Sequence, residues 1–105
     1  MGQFDGVSVV KEANFYFEGK VSSRTVIFPD GSRKTLGVML PGEYRFGTSS
    51  RETMEIMSGE LEVTLPGSAE KVAISGSGTF HVPANSHFTV TVKEPTDYCC
   101  SYDPE

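Results

Sequence analysis

The sequence holds no tryptophan and only two histidines and two cysteines among 105 residues. A transition-metal site would need further partners for two histidines, because such sites take three or four ligands. The cysteines are neighbours, Cys99 and Cys100. Successive strand residues point to opposite faces, so the pair is poorly placed to bridge and forms no metal motif. Two small, half-buried apolar residues in a reducing compartment are expected. Lysine and arginine total 9 against 14 acids, for a net charge of −5. A basic stripe is missing, which argues against a sequence-independent grip on nucleic acid; a phosphate-sized anion would have to be held by local groups. No apolar run approaches membrane-spanning length. The start, Met1-Gly2-Gln3-Phe4-Asp5-Gly6, lacks the basic and apolar regions of a leader and the Ser or Thr of a myristoylation signal. A cytoplasmic protein without a membrane partner is expected.

What is present is alternation with period two. Leu61-Glu62-Val63-Thr64-Leu65, Phe88-Thr89-Val90-Thr91-Val92, Phe80-His81-Val82 and Tyr44-Arg45-Phe46 each alternate apolar with polar. Glycine and proline punctuate them at Gly42, Pro66-Gly67, Gly78 and Pro83. The pattern predicts about ten short strands in one all-β domain, a sandwich or barrel. Ser58-Gly59-Glu60 is expected to turn a hairpin between Met54–Met57 and Leu61–Leu65. Residues 49–52 offer a single helical turn at most, and the tail from Tyr102 is expected to fray.

Two stretches resemble the paired motifs of the cupin superfamily. The first runs from Pro41-Gly42 through Glu52 to Gly59; the second runs from Gly78 through Val82-Pro83 to the strand beginning at Phe88. The resemblance implies a small β-barrel or jelly roll, which in cupins usually holds a metal with three histidines and one glutamate. If Glu52 stands for that glutamate, the expected histidine positions hold Phe46, Thr48 and Phe88. His87 lies one residue early, which turns its side chain to the other face. A lone carboxylate does not hold a transition metal, so given the cupin frame no metal and no cofactor are expected.

A narrower resemblance covers residues 14–102. Asn14-Phe15-Tyr16-Phe17-Glu18-Gly19-Lys20-Val21, Gly37-Val38-Met39-Leu40-Pro41-Gly42-Glu43-Tyr44-Arg45-Phe46, Ser58-Gly59-Glu60-Leu61-Glu62-Val63-Thr64-Leu65-Pro66, Phe80-His81-Val82-Pro83 and Tyr98-Cys99-Cys100-Ser101-Tyr102 occur in order. Together they resemble the pyrimidine/purine nucleoside phosphorylase family, formerly a domain of unknown function. The resemblance implies one cupin-like domain over 1–105, with 1–13 as an extension longer than usual. It also implies a pentosyltransferase: reversible, phosphate-dependent cleavage of diverse purine and pyrimidine nucleosides to free base and α-D-ribose 1-phosphate.

Such chemistry requires a grip on phosphate, a grip on the sugar hydroxyls and stabilisation of the departing base. Within the cupin frame, parity places Tyr44, Phe46, Thr48, Phe88 and Tyr98 as candidates for binding the nucleoside. Glu52 is the candidate catalytic group, by hydrogen bonds to sugar hydroxyls and support of the cationic sugar. Arg33 is the candidate phosphate ligand, with Thr35 on the same strand face; Arg24 and Lys20 are weaker alternatives. Plainer readings stand beside these. Phe46 and Phe88 serve equally as barrel core, Glu52 as a solvated loop residue, Arg33 as a solvated hairpin residue, and Tyr98 and Tyr102 as packing. A non-catalytic cupin-like module for a metabolite and a metal-dependent cupin enzyme remain as alternative functions. Phe15-Tyr16-Phe17 must turn at least one ring outward, so a homodimer joined through the N-terminal segment is expected.

Overall fold

The period-two runs become strands of one antiparallel sheet rolled over a single apolar core. The computed structural model describes residues 2–103. Its strands are β1 (Ser8–Val9), β2 (Asn14–Tyr16), β3 (Val21–Ile27), β4 (Arg33–Met39), β5 (Gly42–Gly47), β6 (Arg51–Thr64), β7 (Lys71–Ser75), β8 (Gly78–Val82) and β9 (His87–Asp103). A three-residue 3-10 turn at Phe17–Gly19 is the one helical element among the described residues. Residues 49–52 hold no helical turn: a bend at Ser49-Ser50 leads straight into β6.

Two long strands organise the sheet. The C-terminal half of β9 lies between β4 and β6, and its N-terminal half between β5 and β6. β6 pairs with β8 along its first half and with β7 along its second. One layer therefore carries β3, β4 and β8, and the other carries β5 and β7. β1 and β2 flank β3, and the pairings do not close into a ring. This is the jelly-roll architecture expected from the cupin resemblance.

The expected hairpin at Ser58-Gly59-Glu60 is absent. β6 continues through it with register shifts against β9 between Ile56 and Leu61. These bulges switch the inward parity from Glu52, Met54 and Ile56 to Leu61 and Val63, so one strand serves both layers. Gly59 makes the crossing possible. Its φ is 138°, and a Cβ there would overlap the Thr96 hydroxyl, which is fully buried and donates to the Glu94 carbonyl at 2.9 Å. Sequence reasoning read this glycine as a turn because bulge and turn use the same residue.

The inward faces supply the core. Ile56, Leu61, Val63, Val82 and Val90 are at most 1% exposed. Each such side chain contributes roughly 1.5–3 kcal/mol relative to exposure. Both cysteines are free and buried, more deeply than expected. Tyr102 does not fray but pairs in β9 opposite Glu52, while residues 104–105 lie outside the described residues. Among the described residues no helix is long and apolar enough to cross a membrane.

Candidate active site

Three neighbouring strands build the site's inner wall. In register, Thr35 on β4 faces Cys100 on β9, which faces Met54 on β6; one step further along, Tyr102 faces Glu52. These inward side chains border a cavity of about 180 Å3. Its apolar floor includes Met39 and Met54, and Phe46, Phe88 and Tyr98 supply rings. Its polar groups come from Thr35, Glu52, Cys100 and Tyr102, with Tyr16 at the rim. A more open depression of about 610 Å3 adjoins it and shares Tyr16, Thr35 and Tyr102. Asn14, Arg33 and Ser50 border that depression.

The aromatic wall is ordered by ring contacts. Phe46 stacks on Phe88 at 5.4 Å and 29°, and Phe80 meets the edge of Phe88 at 5.8 Å. Phe88 is 2% exposed, so Phe46 offers the accessible ring face and Phe88 backs it. Phe17 covers Phe46 edge-on at 5.5 Å and tilts against Tyr44 at 4.9 Å. The backbone at Phe17 and Glu18 is left-handed, with φ of 53° and 59°, and Gly19 follows at 86°. Holding two non-glycine residues there is strained. The turn keeps Phe17 on the aromatic cluster while Tyr16 reaches the rim.

Glu52 sits half-buried beside these rings. Burial pushes its carboxyl group above the ordinary glutamate range, and a hydrogen bond from the Cys100 thiol at 3.4 Å opposes that shift. No lysine or arginine borders the cavity among the described residues. Burial likewise raises Cys100, Tyr98 and Tyr102, and the Glu52 charge adds to each. All are therefore hydrogen-bond donors at neutral pH. Thr35 and Tyr102 share a hydroxyl hydrogen bond of 3.2 Å. The Tyr98 ring crosses β4 at Gly37, and its hydroxyl lies 3.5 Å from the Ser22 carbonyl.

Arg33 follows the hairpin closed by Asp30, whose carboxylate accepts from the Ser32 amide at 2.9 Å and hydroxyl at 2.6 Å. Those bonds hold Asp30 below the usual carboxylate range. Asp30 is thus engaged by Ser32, and Arg33 forms no ion pair among the described residues.

The cavity unites Glu52, Phe46, Phe88, Tyr98 and Thr35, and places Arg33 in the adjoining depression. Tyr44 and Thr48 do not border it. The Tyr44 hydroxyl donates to the Leu40 carbonyl at 2.7 Å, fixing the β4–β5 turn. Thr48 donates to the Pro83 carbonyl at 2.7 Å and accepts from the Ser86 amide at 3.0 Å, tying two loops together. Their inward parity was legible, but the backbone carbonyls waiting for their hydroxyls were not. Cys100 is a site group that sequence reasoning passed over, and Tyr102, weighed there as a hydroxyl donor or as packing, borders the cavity as well. The even parity of Cys100 with Phe88 and Tyr98 was the available signal. Cupin metal chemistry does not fit this wall. The three histidine positions hold two apolar rings and a committed threonine, and His81 and His87 are exposed. No cluster of three or more His, Cys, Asp or Glu occurs among the described residues.

The family model for pyrimidine/purine nucleoside phosphorylase matches residues 11–102. The chain belongs to that family. A pyrimidine/purine nucleoside phosphorylase of Citrifermentans bemidjiense is 67% identical over 102 residues, covering 97% of this chain and 99% of the relative. That relative thus aligns with nearly the whole chain. A solved structure of a protein of unknown function from Acinetobacter sp. ADP1 is 44% identical, with a TM-score of 0.93 over 96% of this chain and 98% of that one. A cupin-2 domain from Rhodospirillum rubrum, 13% identical, has a TM-score of 0.70 over 100% of this chain and 74% of that one. The latter likeness concerns the fold alone.

Proposed function

We propose that this chain catalyses reversible phosphorolysis of purine and pyrimidine nucleosides to free base and α-D-ribose 1-phosphate, a pentosyl transfer, with no metal or cofactor. One observation carries the reading: an aromatic cavity with a half-buried carboxyl group shares Thr35 and Tyr102 with an adjoining depression bordered by Arg33. The 180 Å3 cavity is smaller than an ordinary ligand pocket of roughly 300–1,000 Å3, and the adjoining depression supplies the remaining room. The base stacks on Phe46, and since every base has a π-face, this contact discriminates weakly among them. Glu52 hydrogen-bonds the sugar hydroxyls and faces the positive charge that develops on the sugar. Arg33 and Thr35 hold phosphate, the guanidinium by its bidentate fork. Phosphate titration tests this assignment: Arg33→Ala raises the KM for phosphate by about tenfold or more and changes the KM for nucleoside much less. An unchanged phosphate KM would move that role to another cation.

The working unit in this reading is a cytoplasmic homodimer. Phe15 is 69% exposed, and its partner in β3, Ser22, pairs in turn with Val38 of β4, which is 40% exposed. Leu36 and Leu40 extend this apolar outer face beside the β2 edge. A second copy seated on it buries these side chains and shields the edge. Light scattering gives twice the chain mass for the parent and the chain mass for Phe15→Asp. A monomeric parent would exclude the dimer, and a dimeric variant would exclude this interface.

A further inference from the structure

Cys100 is a buried thiol that the proposed chemistry does not use, and its contacts are directional. A carboxylate only accepts hydrogen bonds, so the single thiol proton goes to Glu52, at 3.4 Å. The sulfur can then only accept. Thr35 and Tyr102, which share a hydroxyl hydrogen bond of 3.2 Å, border both this cavity and the Arg33 depression.

The other neighbours of Glu52 leave the thiol in control. From β9 the cavity receives Tyr98 and Tyr102, and from β2 it receives Tyr16, none of them cationic. From β8 the partner of Glu52 is Val82, with His81 exposed on the opposite face. On its own strand, the neighbouring Arg51 is exposed and does not border the cavity. A thiol is a weaker donor than a hydroxyl, so it fixes the carboxyl oxygen in place without strongly favouring the anion.

We propose that Cys100 is a positioning residue that sets the proton affinity of Glu52, leaving this carboxyl group able to carry a proton into the cavity and release it. The proposal rests on the phosphorylase reading for its use. As the bond from the anomeric carbon to the base nitrogen breaks, its electron pair leaves with the base, and the Glu52 proton neutralises that nitrogen. A phosphate oxygen forms the new bond to the anomeric carbon, and the proton that hydrogen phosphate loses restores the acid.

The test is carboxyl carbon NMR of glutamate-labelled, ligand-free protein across pH, with the Glu52 signal assigned by its loss in Glu52→Gln. Cys100→Ser supplies a stronger donor and moves the Glu52 midpoint down by on the order of one pH unit. Cys100→Ala removes the donor and moves it up. On the phosphorylase reading the same shifts appear in the pH profile of kcat/KM. A common midpoint in the parent and Cys100→Ser, or a reversed order, overturns the proposal. Shifted midpoints without base release leave the proposal standing and refute the phosphorylase use; base release with coincident midpoints does the opposite.

Discussion

Glu52→Gln lowers kcat for nucleoside phosphorolysis by about 100-fold or more, the scale on which positioned acid–base groups act. The same change stabilises the fold at neutral pH. Burial raises the proton affinity of Glu52 in the folded chain above its ordinary value. A carboxyl group shifted that way leaves stability intact below its unfolded-state pKa, and stability falls as pH rises through the folded-state value. Glutamine does not ionise, and its carbonyl still accepts from the Cys100 thiol. Thermal unfolding therefore coincides for variant and parent at acid pH and separates in favour of the variant near pH 7. Opposite signs for activity and stability mark a group retained for chemistry. A variant as active as the parent would leave Glu52 a structural role only.

Gly37→Ala removes the site by displacing one ring. Gly37 pairs with Tyr98 across β4 and β9. A Cβ at position 37 would overlap the Ser22 carbonyl and lie 2.7 Å from both Cζ and Oη of Tyr98. The Ser22 carbonyl belongs to the β3–β4 ladder and has no room to retreat. The Tyr98 ring must move into the cavity, which costs roughly 2–3 kcal/mol by overpacking. The unfolding midpoint falls by roughly 10 °C or more, and nucleoside affinity falls with it. An unfolding temperature close to that of the parent would show that Tyr98 does not depend on the bare backbone at Gly37.

Alternation made most of the fold legible. Leu61-Glu62-Val63 and Phe88-Thr89-Val90 declare their faces, because a half-buried strand places every second residue in the core. Strand continuity was not legible at Ser58-Gly59-Glu60, since glycine serves turns and bulges alike. Parity also found the cavity's Phe46, Glu52, Phe88 and Tyr98. It could not separate side chains that point inward and meet a backbone carbonyl, as Tyr44 and Thr48 do, from those that remain available to a ligand. Composition hid Cys100, because a small buried residue reads as packing until its neighbours are known. The 3.4 Å approach to Glu52 joins residues 48 positions apart, a relation that no local pattern carries.

The most direct measurement of the central claim is the product balance for a purine and a pyrimidine nucleoside, each incubated with the purified chain in phosphate-free and in phosphate buffer. The account predicts free base and pentose 1-phosphate in equal amounts from both nucleosides when phosphate is present, and no release above the uncatalysed rate when it is absent. Base released equally without phosphate, or nucleoside bound and left intact with phosphate present, would contradict it.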